Sequence, residues 1–526
     1  MAGMEAHVDG AGGGALENGE LESNPLLDDS NKRRLYLEYR EEVVRVGSLA
    51  GPISSQAALV FVSSLVSLAF AGHLGGLALS QAVLASSCYN ITGAAVLLGL
   101  ASGMETLCGQ AYGAGNYGAL GIVLQQAVVI STAVFALILA LWTQVHHLLL
   151  AAGQRKEIVD GAVMYLLLSA PALYCYVIAE CLKRYLLAQA RSLSPFSNGV
   201  VTPATIVTAC SAALSPLYNW LLVDYFQVGL AGAALANDAV QATVLVGLVS
   251  YVVWRDRRLK GTPLQTWPGW SRQCLHGWWP YLKLALPTVG ACCLEWWLYE
   301  GLILIAGWFP NADVAVAAMG VGFNTTALTY TISQGIGGAA STRVANELGS
   351  AKPLRAEKAA YTAIALETLL MLGIVAVGFG LRDVWAYLFT DDPEVVDVIE
   401  IILPVVFFSE IGDGLNCVCG GVMRGAGRQL LASILNLITY WGLGLPLSCV
   451  LGLHYGLGVQ GLWWGLATTT TVQGLAMLAT VMCFDWDQEA KAAAVLMNTQ
   501  HDALGPESEA LLHPASEAGS LDGGER

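Results

Sequence analysis

Two glutamates, Glu295 and Glu300, interrupt the apolar stretch LKLALPTVGACCLEWWLYEGLILIAGWF. A second pair, Glu410 and Asp413, sits i, i+3 in another apolar run and so shares one helix face. A carboxylate in hydrocarbon costs several kcal/mol and therefore faces a cavity, a partner or an ion path. Desolvation favours the neutral acid over the carboxylate, which lets such a group hold a proton and a cation in turn. Glu295 shares a face with Tyr299, and Glu300 with Trp296, both at i, i+4. An acid walled by Trp and Tyr suits a bulky organic cation, because ring faces add cation–π attraction to the charge. Glu295 and Asp413 are accordingly the expected proton and cation site, with Glu300 and Glu410 as neighbours. Trp296, Tyr299, Gln56, Asn90 and Asn324 are the expected cavity contacts. Two further intramembrane acids are expected to be structural: Glu367 as a packing residue near one end of its span, and Glu180 as an ion pair with Lys183 and Arg184.

These residues lie in segments long enough to cross a bilayer. Apolar residues make up 55% of the 526 and charged ones only 12%, with mean hydropathy +0.57, so the chain is polytopic in a membrane. Twelve runs of about 20 residues or more occur near 48–71, 78–103, 117–143, 160–187, 200–223, 229–254, 281–308, 314–341, 359–381, 398–423, 430–452 and 459–484. Of the 25 Lys and Arg, all but Arg155, Lys156 and Arg382 fall in the termini or even-numbered loops, which places both termini in the cytosol. The net charge of −15 resides mostly in the tails and implies no nucleic-acid partner.

The chain also repeats. Pro52, Gly72, Ala82 and Gly103 correspond to Pro287, Gly307, Ala317 and Gly338 at an offset of 235. Pro171, Glu180 and Arg191 correspond to Pro404, Asp413 and Arg424 at 233. Six spans is an even number, so both halves enter the membrane in the same sense, as two lobes around a central cavity. The expected division is a disordered acidic tail over 1–45, a first lobe over 46–254, a cytosolic linker over 255–280, a second lobe over 281–484 and a disordered tail over 485–526. Acidic dileucine patterns, Glu22–Leu27 and Glu507–Leu512, lie in the tails, and the first is a candidate for a sorting adaptor. The 12 cysteines and eight histidines have no disulfide or metal spacing, no catalytic constellation is visible, and no GxxxxGK[ST] stretch calls for a nucleotide or other cofactor.

Four longer motifs carry a family resemblance: GMETLCGQAYGA (103–114), LEWWLYE (294–300), ASTRVANELG (340–349) and GGVMRGAGRQ (420–429). With these, residues 35–486 resemble the multidrug and toxic compound extrusion (MATE) transporters, most closely their plant detoxification-type branch. The resemblance implies an all-α protein of twelve membrane helices in two six-helix lobes. It implies export of small organic compounds in exchange for H⁺ or Na⁺, and it carries functional acids onto Glu295, Glu300 and Asp413. Many prokaryotic members have a first-helix aspartate at about Ser67, which this chain lacks, so coupling is expected to rest on the second lobe. The resulting expectation is a monomeric proton-coupled exporter of organic cations or secondary metabolites, driven by the proton gradient, in the vacuolar or plasma membrane. Export of organic anions, such as citrate or flavonoid conjugates, is the alternative. An intramembrane enzyme and a channel are the readings disfavoured by the absent catalytic set and by the two-lobe repeat.

Overall fold

The computed structural model describes residues 25–151, 153–190, 201–262, 264–267, 269–390 and 392–504, and every regular element among them is helical. The twelve long segments follow the twelve runs read from sequence. In the first lobe they are α1 (Pro25–His73), α2 (Gly76–Gly113), α3 (Tyr117–Trp142), α4 (Lys156–Leu168 with Ala170–Ala188, bent by 43°), α5 (Thr202–Tyr225) and α6 (Leu230–Leu259). In the second lobe they are α7 (Trp278–Ala306), α8 (Ala312–Gly349), α9 (Pro353–Leu388), α10 (Pro393–Ala426), α11 (Gln429–His454) and α12 (Gly458–Met482). Eight of these are long and apolar enough to cross a membrane singly, and two more qualify as bent pairs, α4 and α12 with Trp486–Gln500. Helices α8 and α10 do not qualify, for a physical reason. They are the most enclosed of the second lobe, with buried residues on every face, so the surrounding helices shield them from lipid.

Three apolar clusters organise the packing. One belongs to the first lobe and takes in only Tyr281, Leu284 and Ala285 from α7. Another fills the second lobe from Leu298 to Ala467. The third joins the lobes at the end that carries the even-numbered, Lys/Arg-rich loops, here called the basic end. There Val46, Leu49 and Ala50 of α1 meet Ile336, Val344 and Val418 of α8 and α10.

The tail boundaries differ from the sequence expectation. Within 1–45, α1 already begins at Pro25, and within 485–526 an additional helix, α13 (Trp486–Leu504), follows α12. Its first portion lies at 87° to α12. Asp485 caps α13 by accepting hydrogen bonds from the backbone N–H groups of Asp487 and Gln488, each at 3.1 Å. Trp486, Glu489, Ala493 and Gln500 form its buried face, and Leu496 and Met497 reach the first-lobe cluster. A low net apolarity hid this amphipathic spacing. The dileucine stretches Glu22–Leu27 and Glu507–Leu512 lie outside the residues whose side chains are described.

In lipid, helices associate through close van der Waals packing rather than hydrophobic exclusion, so small residues decide where backbones meet. A Cβ on Gly421 of α10 would stand 2.2 Å from the carbonyl oxygen of Gly337 in α8. At the adjacent Gly420 a Cβ would meet only the flexible Arg424 Nη1, at 3.4 Å. Gly421→Ala is therefore expected to cost on the order of 1–3 kcal/mol through overpacking. Gly420→Ala is expected to be near neutral. Thermal unfolding of both variants in detergent checks this, and equal melting temperatures would contradict it.

Candidate functional site

Glu295 lies just past the middle of α7 and Asp413 well inside α10. Helices α8 and α10 pack closely enough to bring the acids of α7, α9 and α10 into one interior. Glu295 and Asp413 act on each other electrostatically, and both act on Tyr299 and Tyr440. Glu410, 2% exposed, accepts a hydrogen bond from the Thr329 hydroxyl of α8, while its Oε1 has no partner. Asp413 is 3% exposed and its Oδ1 is also unpartnered.

Glu367, expected to be a packing acid, lies beside this group and acts electrostatically on Glu410. Helix α9 starts at Pro353, six residues before the apolar run. Glu367 lies eight residues past the start of that run, about 12 Å along the helix. It is 0% exposed, neither carboxyl oxygen has a hydrogen-bond partner, and Oε1 is close enough to Gly414 that a Cβ there would approach to 2.5 Å. Among the described residues, none of Glu295, Glu367, Glu410 and Asp413 is in an ion pair with a base.

The five positions between Glu295 and Glu300 rotate them by about 140°, and the two carboxyls part accordingly. Glu300 turns to the first lobe, where the Ser87 hydroxyl of α2 donates to it at 3.4 Å. The expected cavity contacts also divide. Tyr299 is 8% exposed and packs against Phe323 at 5.4 Å, inside the second lobe on the acid side. Trp296 is half-buried against the first-lobe cluster. Gln56 is not aimed at a cavity: it is 7% exposed and donates to Thr205 of α5 at 3.0 Å within its own lobe. Asn324 donates to Gly320 O on its own helix and is half-buried. Asn90 is exposed and opens a wide π turn (Asn90–Ala94) in α2. That turn frees the Ile91 carbonyl to accept from Trp297 Nε1 at 3.2 Å, across the lobes.

Several participants were not singled out from sequence. Asn416, one turn beyond Asp413, donates to Tyr440 OH at 3.3 Å, and Gln473 donates to Asn416 Oδ1 at 3.4 Å and to Asn436. This polar chain continues the acid site into α11 and α12. Asp238 in α6 accepts from the backbone N–H of Ala172 at 2.8 Å, satisfying the donor freed by the bend in α4. At the Ser67 position the Asn219 amide donates to the Ser67 hydroxyl at 3.2 Å, an uncharged pair. Polar residues alone in apolar runs were the available signal, but which of them meet is not a property of any one run. No group of three His, Cys, Asp or Glu among the described residues is arranged to hold a metal ion.

A protein-family model matches this chain over residues 52–221 and 287–450, one segment in each lobe, and its description is MatE. The chain belongs to the MatE family. Relatives include Protein DETOXIFICATION 16 of Arabidopsis thaliana, 34% identical over 454 residues (86% of this chain, 90% of that protein). Protein DETOXIFICATION 51 of the same plant is 36% identical over 463 residues (88% and 84%). The crystal structure of the eukaryotic MATE transporter AtDTX14 superposes with a TM-score of 0.81 at 31% identity, covering 87% of this chain and 99% of that one. The Vibrio cholerae MATE transporter VcmN, in its bent form, matches at a TM-score of 0.71 with 18% identity (88% and 99%), a likeness of fold alone. This chain is therefore an integral membrane efflux transporter for small molecules, with twelve membrane helices, and its relatives are transporters rather than enzymes.

In this MatE transporter the lobes are sealed at the basic end. Glu105 of α2 pairs with Arg424 of α10 at 3.1 Å and with Arg184 of α4 at 3.3 Å, and accepts from the Ser341 hydroxyl at 2.8 Å. Glu180 pairs with Lys183 at 2.9 Å and Arg184 at 2.6 Å, the structural role expected of it. Arg343 of α8 grips Glu42 of α1 and Glu347, both at 2.8 Å. Glycines let the backbones close behind these pairs: a Cβ on Gly113 would stand 2.1 Å from Asn346 O. Removing one partner of a buried pair costs on the order of 3–5 kcal/mol. Glu105→Ala, which strands Arg424 while Arg184 keeps Glu180, is expected to open this end and speed maleimide labelling of the buried Cys108 by at least about tenfold. Labelling of Cys449, near the other end of α11, should stay unchanged. Peptide mass spectrometry reads both sites.

Proposed function

We propose that the protein is a proton-coupled antiporter that exports organic cations, with Glu295 and Asp413 as the carboxyls that proton and substrate occupy in turn. One observation carries this reading: Glu295, Glu367, Glu410 and Asp413 converge inside the second lobe, with unpartnered oxygens on the last three and, among the described residues, no base in ion-pair contact. Like charges at close range in a low dielectric repel strongly, so the cluster requires neutralisation by protons or by a cation. Occupancy by one excludes the other, and that competition couples the two fluxes without nucleotide hydrolysis.

With the basic end open, a cation enters and seats against Glu295 and Asp413, with Trp296 and Tyr299 supplying ring faces. Sealing of the basic end through Glu105 and Arg424 exposes the site to the opposite compartment. Protons arriving there neutralise the carboxyls and release the substrate. Glu300, at the junction of α2 and α7, offers a further proton or substrate contact where the lobes part. The imposed proton gradient is the energy source and no cofactor takes part. The excess of Lys and Arg in the even loops supports a cytosolic basic end. The membrane is the vacuolar or plasma membrane, the transporter works as a monomer, and Glu22–Leu27 is the stretch a sorting adaptor would read.

In proteoliposomes with an imposed pH gradient and no ATP, uptake of a quaternary ammonium probe by the wild-type protein is expected to collapse with the gradient. Glu295→Gln should lower that uptake at least about tenfold by removing a charge that acts only in the exchange, with incorporation into the vesicles unchanged. Undiminished uptake by Glu295→Gln overturns the assignment. Gradient-driven flux of citrate with none of the cation favours the anion reading instead.

A further inference from the structure

At the basic end of α6, away from the acid cluster, lies a second cavity of ≈ 280 Å³. Its walls include Tyr251, Trp254, Arg255 and Arg258 of α6, Gln189 from the end of α4, and Thr266 of the linker that joins the lobes. The two arginines are held ready. Arg258 stacks on Trp254 with its guanidinium carbon 4.2 Å from the ring centroid. Arg255 donates through Nη1 to Gln189 Oε1 at 2.5 Å. Gln189 is 1% exposed and is itself fixed, donating to Tyr185 O at 2.9 Å and accepting from Thr266 at 3.2 Å.

What these arginines lack is a counter-charge. Arg255 is half-buried and Arg258 exposed, whereas the buried arginines of this end are paired: Arg184 with Glu180 and Glu105, Arg343 with Glu42 and Glu347, and Arg424 with Glu105. Among the described residues, no carboxylate lies in ion-pair contact with Arg255 or Arg258. Two guanidiniums one helical turn apart, oriented over one cavity and unmatched in charge, form a fork suited to the oxygens of a phosphate. Trp254, 50% exposed at the end of an apolar helix, marks the level of the membrane–water boundary.

We propose that the cavity between Arg255, Arg258, Gln189 and Thr266 binds a phosphate-bearing anion at the membrane surface of the basic end. The phosphate oxygens engage the two guanidiniums. The remaining part of the headgroup rests among Tyr251, Trp254 and Thr266. The ligand also has a mechanical consequence. The linker is already tied to α3, where Gln125 donates to Gly269 O at 2.7 Å and Gln126 to His276 O at 2.8 Å. Thr266 is already held to the same lobe through Gln189, and an anion bridging it to α6 adds a second tie.

A lipid headgroup and a soluble phosphate present the same oxygens, and the test separates them. The full-length protein is placed in phosphatidylcholine nanodiscs, with or without phosphatidylinositol 4-phosphate. In a parallel arm, inorganic phosphate or inositol bisphosphate is added to plain discs. Binding to the folded state raises the melting temperature in proportion to ligand occupancy. The expected result is a rise that Arg255→Gln/Arg258→Gln abolishes, with affinity falling about tenfold for each guanidinium removed. Arg257→Gln/Lys260→Gln, exposed neighbours that do not line the cavity, should leave the rise intact. Arg258→Gln alone preserves the Arg255–Gln189 bond and serves if the double variant does not fold. A rise only with the lipid identifies a headgroup, and a rise with the soluble anions identifies a free phosphate. No rise in either arm, or the same rise in the Arg258→Gln variant, overturns the proposal.

Discussion

An ionised side chain buried away from water is stable only when another charge or several hydrogen bonds replace its hydration. That requirement sorts the buried charged side chains among the described residues. At the basic end it is met internally, because Glu42, Glu105, Glu180 and Glu489 each hold an arginine. Since Glu105–Arg424 and Glu42–Arg343 each join one lobe to the other, the same pairing that satisfies the charges also closes the passage. Electrostatic compensation and gating are one set of contacts. The requirement goes unmet in the acid cluster of the second lobe, where Glu367, Glu410 and Asp413 keep unpartnered oxygens.

Close approach of α8 and α10 makes the acid cluster possible. Gly337 and Gly421 let the two backbones touch, and Gly412 and Gly474 do the same for α10 and α12. Larger residues there would push α10 outward and carry Glu410 away from Thr329. The small residues of this lobe therefore set the distances between its carboxyls, even though none of them carries charge. Gly414 has a related part, since its missing Cβ leaves the space that Glu367 fills.

The internal repeat sets off how the lobes differ. Glu180 and Asp413 occupy corresponding positions at an offset of 233. Glu180 has Lys183 and Arg184 within a turn and is locked as a structural pair, whereas the turn after Asp413 presents Asn416. The first lobe places Ser67 and Asn219 where a charge would need neutralising. One architecture thus carries a half whose intramembrane Glu180 is paired and a half whose Asp413, among the described residues, is not in an ion pair. The difference rests on whether a base lies three or four residues away.

Much of this was legible in the sequence because it is one-dimensional. Twelve apolar runs, the bias of Lys and Arg to alternate loops and the offsets near 235 are sums and spacings along the chain. An acid in the middle of an apolar run is costly wherever that run packs, so Glu295, Glu410 and Asp413 stood out unaided. The pairing of Glu180 was also visible, because its partners lie within one turn. The rest depended on contacts between distant segments. Glu105 finds Arg424 across 319 positions, Glu367 reaches the acid cluster through the space left at Gly414 of α10, and Gln56 turns to α5 rather than to a cavity. Residues 486–504 are helical because one face docks on both lobes, which their own composition does not announce. The sequence by itself determined which residues must avoid lipid, since burial cost follows from side-chain chemistry. Which partner each of them found was decided only by the tertiary structure, since a partner's distance depends on how separate helices pack.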